Sequence, residues 1–299
     1  MRTRSFLSIH LGAWVLVAGS AAPALAQLPA RAEAAAIGGA ITPVLTATPV
    51  ASARSAPYAW RGHEAAIEEY LRPAPVTHFK KIPVGITKPR RGYFEPGGPV
   101  RSFAWKALTP GILHGKMESY RSEIAAYLLS RHLGMDMVPP VVERRIGGVR
   151  GAAVYWIDGV RPWNPEQPPT MPGAKWSRQT SRMLMFDQLI GNIDRNQGNL
   201  LYDDEGHLYL IDHSRAFVLQ PNPGTIKPPQ QFDRALWERM AALTREELDA
   251  VLRPWLDGSQ ITAVLKRRDA MQKYIERHVR ERGDAVTFLP RPAADTIAP

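Results

Sequence analysis

Apolar and polar positions alternate most clearly over Glu118–Leu133. Tyr120, Ile124, Tyr127 and Leu128 recur at the spacing of one helix face, and Gly134 follows as a C-terminal stop. Residues 76–105 read as strands joined by turns, and Ser102–Leu108 is an alternating strand. Val138–Arg145 and Gly151–Ile157 predict two more strands around the Gly147–Gly148 turn. From Ser177, an expected N-cap, a helix runs to about Ile190 and breaks at Gly191–Asn192. A polar loop, Asp194–Asn199, leads into two short apolar runs, Leu200–Tyr202 and Leu208–Ile211. The turn Asp203–Gly206 between them predicts a β-hairpin. Helical signals dominate afterwards: Phe232–Met240, a capping box at Thr244–Glu247 opening a helix through Leu252, and Ser259–Arg282. A short helix over His63–Leu71 ends before Pro73. Strands with one helix thus precede a mainly helical half, an α+β arrangement.

Composition narrows the setting. The chain has 299 residues, enough for one large or two small domains, and it has no cysteine, so the fold rests on its core without disulfides. Residues 1–26 pattern as a secretory signal, with Arg2 and Arg4, the apolar run Leu11–Gly19 and a small-residue Ala24–Leu25–Ala26 cleavage site. The apolar run is too short for a membrane span, so a periplasmic or secreted location is expected, with an uncleaved anchor as the alternative. The formal net charge is +10, and removing residues 1–26 takes away two arginines and no acids, leaving +8. Residues 27–57, rich in Ala, Pro and Thr, are expected to be a disordered linker, and 284–299 a disordered tail. The basic runs Lys266–Arg268 and Arg277–Arg282 read as a solvated helix face. No nucleic-acid partner is expected, and contact with a membrane surface is the alternative. His63–Ile67 stops one residue short of a zinc-protease HExxH, and no G-x-S-x-G elbow or zinc pattern occurs.

The candidate chemistry lies in a spacing. A hairpin returns the chain to its starting end, so Asp212, at the close of the second strand, is expected beside Asn199 and Asp194. Two carboxylates and a carboxamide are hard oxygen donors that suit Mg²⁺ or Mn²⁺. An Asp, an Asn five residues on, and an Asp thirteen residues further after a strand is the order used for phosphoryl transfer. The plainer alternative is a turn whose Asp and Asn residues only cap backbone. Lys106, on the alternating strand, is the candidate to hold nucleotide phosphates. Glu123, inside the apolar stripe of the next helix, needs a partner there, and Lys106 is its candidate. The alternatives are a strand-end lysine reaching solvent, and Glu123 paired with Arg121 or a C-terminal arginine. Val84–Tyr93, with Thr87 and Lys88, is the candidate loop over the phosphates. Without G-x-G-x-x-G or G-x-x-x-x-G-K-[ST], it reads equally as a solvated basic hairpin.

The segment FDQLIGNIDRNQGN followed by LIDHSRAF closely resembles the catalytic segment of the secretory-pathway atypical kinases, the Golgi casein kinase and four-jointed group. It also resembles the phosphoinositide lipid kinases and bacterial persistence-toxin kinases, and the chain after residue 76 is loosely similar to secreted bacterial members of that superfamily. The resemblance implies a bilobal kinase-like domain over 58–283, with an N-lobe at about 76–158 and a C-lobe at about 159–283. It implies Asp194 as catalytic Asp, Asp212 as metal Asp and Tyr155–Gly159 as the inter-lobe connection, while the order of the three residues makes Asn199 the second candidate metal ligand. It also implies ATP or another nucleotide with Mg²⁺ or Mn²⁺, and a hydroxyl-bearing acceptor. Asn199 departs from the Golgi group, whose residue there is acidic, and fits the lipid-kinase pattern, so the acceptor class does not carry over. A secreted pseudokinase or binding module, and AMP transfer on the same fold, are the competing readings.

Overall fold

An antiparallel sheet carries Lys106. Its strands are β1 (Val76–Lys81), β2 (Arg90–Phe94), β3 (Ser102–Lys106), β6 (Val141–Ile146) and β7 (Val149–Tyr155), in the order β1-β2-β3-β7-β6. In the computed structural model these belong to one unit, 47–299, within which residues 58–83, 89–113, 115–168, 173–220 and 226–291 are described. The expected signal (1–26), the linker (27–57), Thr87, Lys88 and residues 292–299 lie outside the described residues.

Between β3 and β6 the chain forms a small hairpin, β4 (Gly111–Leu113) and β5 (Lys116–Glu118), and then helix α2 (Tyr120–His132). The helix was expected from Glu118. Instead Ser119 is the N-cap, its hydroxyl accepting the Arg121 amide at 3.1 Å, and Glu118 closes β5. Cap and strand compete for the same residues, and the long-range contacts of Glu118 decide for the strand. At the other end Gly134 (φ +58°) takes the left-handed conformation that ends the helix. Helix α1 (Glu64–Leu71) packs on β6 and β7. The buried side chains Phe94, Phe103, Trp105, Val142 and Ala153 form the inner face of the sheet with Trp60, Ile67 and Leu71.

The second half begins with the two-residue strand β8 (Arg161–Pro162) and helix α3 (Gly173–Ile190). The expected N-cap, Ser177, lies one turn inside α3. Trp176 stacks on Trp163 at 4.5 Å and Lys175 donates to the Glu205 carbonyl at 2.8 Å, contacts that hold the earlier turn in place. Strands β9 (Leu200–Tyr202) and β10 (Leu208–Leu210) pair as the expected hairpin, and β8 adds to β9. Helices α4 (Arg234–Ala242), α5 (Arg245–Leu252) and α6 (Gly258–Arg282) follow, α5 and α6 each opening with a capping box. Phe232, expected in the first of these helices, instead precedes it and is buried against Tyr274 and Phe288.

Two expectations are corrected. Arg267, expected on a solvated face, is 3% exposed and donates to the carbonyls of Leu189 (2.9 Å), Val218 (2.6 Å) and Gln220 (3.2 Å). It ties the end of α3 to the segment after Phe217, and burial lowers its pKa to about 10. Gly191 (φ +62°) allows this approach, because a Cβ there would meet the Arg267 guanidinium at 2.8 Å. The start of the expected disordered tail is also ordered: α7 (Asp284–Thr287) leads to Phe288, 6% exposed and bridged to Phe232.

Asp233 caps α4 by accepting the Leu236 amide and pairs with Arg178 at 2.7 Å. Burial alone would raise its pKa. The charge of Arg182, the Leu236 amide and Arg178 outweigh burial and hold it below the usual carboxylate value. A carboxylate lowered in the folded state contributes stability above its unfolded pKa of about 4 and loses it as the pH falls further. Urea midpoints of wild type and Asp233→Asn are therefore expected to differ most near neutral pH and to draw together as the pH falls below the unfolded carboxylate pKa of about 4.

Candidate active site

Local geometry between α3 and β10 follows from one buried ion pair. Asp187, 1% exposed on the last turn of α3, receives Arg195 Nε at 2.8 Å on Oδ2 and Arg195 Nη2 at 3.0 Å on Oδ1. Its Oδ1 also accepts the Asn192 amide at 2.9 Å. The free face of the same guanidinium donates to the carbonyls of Asn199 (2.6 Å) and Ile211 (2.9 Å). One planar cation thus spans the helix end, the polar loop and the exit of β10. The Ile211 amide donates to the Asn199 carbonyl at 3.3 Å, so the two ends of the hairpin meet where Asp212 begins.

Within that frame Asn199 Nδ2 donates to the Asp194 carbonyl at 3.1 Å. Because a carbonyl can only accept, this bond assigns the amide face of Asn199 and leaves its Oδ1 without a hydrogen bond among the described residues. Asp212 adopts φ +60°, a left-handed conformation uncommon for a residue other than glycine. Its Oδ1 accepts from Lys106 Nζ at 2.8 Å and from Ser214 Oγ at 3.2 Å, and its Oδ2 receives no hydrogen bond among the described residues. The chain therefore offers two hard oxygens, one amide and one carboxylate, that protein donors have left free. Their chemistry fits Mg²⁺ or Mn²⁺.

Lys106 reaches both acidic partners. Its Nζ lies 2.6 Å from Glu123 Oε1 and 2.8 Å from Asp212 Oδ1. The pairing of Glu123 is with Lys106; neither Arg121 nor a C-terminal arginine bonds it among the described residues. Burial alone would lower the Lys106 pKa, but the charges of Asp212 and Glu123 outweigh it and the group is raised. Asp212 is lowered to about 2: burial opposes this, and the Lys106 ammonium prevails. Burial pushes Glu123 upward, opposed by Lys106 and the His213 amide. With a cation at 2.6 Å and an amide at 3.1 Å, we assign Glu123 the ionised form.

Sequence reasoning missed several neighbours. His213 is wholly buried, and its pKa falls well below the usual value through burial and the nearby charges of Arg195 and Lys106. Arg195 Nη2 donates to its Nε2 at 2.9 Å, which assigns the proton of the neutral ring to Nδ1. Arg215 reaches Asp194 Oδ2 at 3.1 Å and also pairs with buried Glu118. Lys116 Nζ stands 4.0 Å from Asp194 Oδ1. An arginine set between the polar Asp212–Ser214 and the apolar pair Ala216–Phe217 was the available signal for Arg215, but its partner was not legible.

The assembled pattern can be compared with known structures. A hydra Fam20 structure determined with sugar superposes with a TM-score of 0.63 at 16% identity, covering 78% of this chain and 93% of that one. A Golgi casein kinase structure with Mn/ADP bound gives 0.59 at 14% identity, covering 77% and 79%. The fold is that of the atypical kinases. The family model for phosphatidylinositol 3- and 4-kinase matches residues 173–250, the kinase-fold segment from α3 through the hairpin to α5. No sequence match to a curated protein reaches significance. Lys106 and Glu123 join β3 to α2 by an ion pair, and Asp194, Asn199 and Asp212 flank the β9–β10 hairpin.

Proposed function

We propose that the chain is a metal-dependent phosphotransferase that moves the terminal phosphoryl group of a nucleotide to a hydroxyl acceptor outside the cytoplasm. The observation that carries this reading is the ionic set Glu123–Lys106–Asp212, with Glu123 buried, Lys106 nearly so and Asp212 partly open, whose Asp212 keeps one carboxylate oxygen free of protein donors.

Asn199 and Asp212 would hold a divalent metal, which supplies charge neutralisation on the phosphates. Lys106, oriented by Glu123, is the cation available to the nucleotide phosphates, and the raised pKa of Lys106 keeps it charged. Asp194 accepts or orients the acceptor hydroxyl. Phosphoryl transfer depends mostly on positioning and charge stabilisation, and this site supplies fixed charges without a covalent nucleophile. The Mn/ADP bound to the Golgi casein kinase relative supports the same choice of ligands here. Export rests on the character of residues 1–26.

Thermal denaturation of the chain with MnCl₂, ADP, or both tests the nucleotide site. Joint addition is expected to raise the midpoint more than either component alone. Incubation with labelled ATP and pools of peptides, sugars and lipids then tests transfer, with the mass of the product separating phosphoryl from AMP addition. A midpoint indifferent to every nucleotide would sink the enzyme reading in favour of a binding module.

A further inference from the structure

We propose that Arg215 is a positioning residue for Asp194, held in turn by Glu118, so that β5 and the start of α2 set the direction of the acceptor-side carboxylate. The inference rests on the phosphotransferase reading above.

The loop after α3 holds Asp194 through its backbone: the Asn196 and Asn199 side chains bond its carbonyl, and the Asn192 side chain accepts its amide at 3.2 Å. Its carboxylate is instead met by two cations. Arg215 Nη1 donates to Oδ2 at 3.1 Å, and Lys116 Nζ lies 4.0 Å from Oδ1. These cations differ in kind. The Arg215 side chain is 9% exposed and its other edge is occupied, Nε donating to Glu118 Oε1 at 2.7 Å and Nη2 to the same oxygen. The Lys116 side chain is 46% exposed, and 4.0 Å is longer than a hydrogen bond.

Glu118 has little freedom to move. It is the last residue of β5, paired with Gly111, and its side chain is 2% exposed. The next amide, Ser119, donates to the Ser214 carbonyl at 2.9 Å, so a backbone bond braces the ion pair beside both of its members. Further along α2, Ser122 Oγ donates to the Ala216 carbonyl at 3.4 Å and Glu123 Oε2 accepts the His213 amide. A guanidinium is a rigid planar fork, so holding one edge at Glu118 fixes where Nη1 points.

The result is an asymmetric carboxylate. Oδ2 is clamped by a braced, buried cation. Oδ1 faces a half-exposed ammonium that can move aside for a hydroxyl. A small misplacement of a reacting group costs much of the rate in a reaction that depends on alignment. The same elements carry Glu123, so one rigid unit sets both Lys106 and Asp194.

A purely structural ion pair would behave differently: its loss would weaken the fold and nucleotide binding together. The test therefore uses the full chain, ADP release from Mn–ATP with water as acceptor, and the Mn–ADP thermal shift. Arg215→Gln is expected to lower kcat about 10- to 100-fold while KM for Mn–ATP stays within about threefold. Glu118→Gln should fall in the same direction by less. The double variant should be no worse than Arg215→Gln alone, because Glu118 acts through Arg215. Should Arg215→Gln not fold, Arg215→Lys keeps the charge but cannot bridge both carboxylates, and is expected to show reduced kcat with an intact shift. Turnover in the Arg215 variants close to wild type, or kcat and nucleotide binding lost in parallel, would overturn the inference alone. Wild type that binds Mn–ADP yet transfers to neither water nor any pooled acceptor would overturn the phosphotransferase reading, and this inference with it.

Discussion

Asp212→Asn is expected to reduce phosphoryl transfer about a thousandfold or more and to erase the Mn–ADP thermal shift. The residue sits at φ +60°, a conformation that asparagine tolerates better than most side chains, so the backbone is expected to keep its course. What the variant loses is charge. A neutral amide binds a divalent ion far more weakly than a carboxylate and no longer balances Lys106. Glu123 remains 2.6 Å from that ammonium, so Lys106 keeps one partner and the fold is expected to survive. Rate measurements with labelled ATP, alongside unfolding curves without ligand, separate the two effects. Wild-type turnover in a folded Asp212→Asn protein would contradict the assignment of this carboxylate.

The largest stability effect is expected at Asp187, which touches no reacting group. Replacing it with alanine strips the fork partner from Arg195, whose side chain is 11% exposed, and removes the acceptor of the Asn192 amide. Leaving a buried cation unpaired costs about 3–5 kcal/mol. Urea unfolding should show a loss of that order, and activity should fall with it, because Arg195 also holds the Asn199 and Ile211 carbonyls. Replacing Asp187 and Arg195 together with apolar residues of similar size is expected to recover part of the stability and none of the activity. Recovery of activity in that double variant would mean that the loop finds its geometry without the ion pair.

Long-range ion pairs and hydrogen bonds also account for what the two halves share. Lys106 and Asp212 lie 106 residues apart, Glu118 and Arg215 lie 97 apart, and Glu123 and His213 lie 90 apart. Each joins β3, β5 or α2 to the segment after β10. Lys106 and Asp194 are therefore coupled through the same few elements. This makes α2 a fixed support, bonded to that segment by Glu123 and Ser122, with its cap residue Ser119 and preceding Glu118 bonded there as well.

Several features were legible from local chemistry alone. Helix α2 with its Gly134 stop, the β9–β10 hairpin, the capping box of α5 and the α+β order all follow from spacing and turn residues, which act over a few positions. So did the need of Glu123 for a cation, since a carboxylate in an apolar stripe is costly unless paired. The start of α3, the β4–β5 hairpin, the burial of Arg267 and the ordering around Phe288 were not legible. Each depends on a partner distant in the chain: Trp163 for α3, Arg215 for β5, Leu189 for Arg267, and Phe232 for Phe288. A charged residue reads the same in sequence whether it meets water or a buried carbonyl. Which it meets is decided when the chain closes and desolvation forces each buried charge to a partner. The sequence by itself determined the elements on which Lys106, Glu123, Asn199 and Asp212 ride and that they should meet. The tertiary structure alone decided which oxygens of Asp194, Asn199 and Asp212 are held and which are left free, because that depends on donors arriving from elsewhere in the fold.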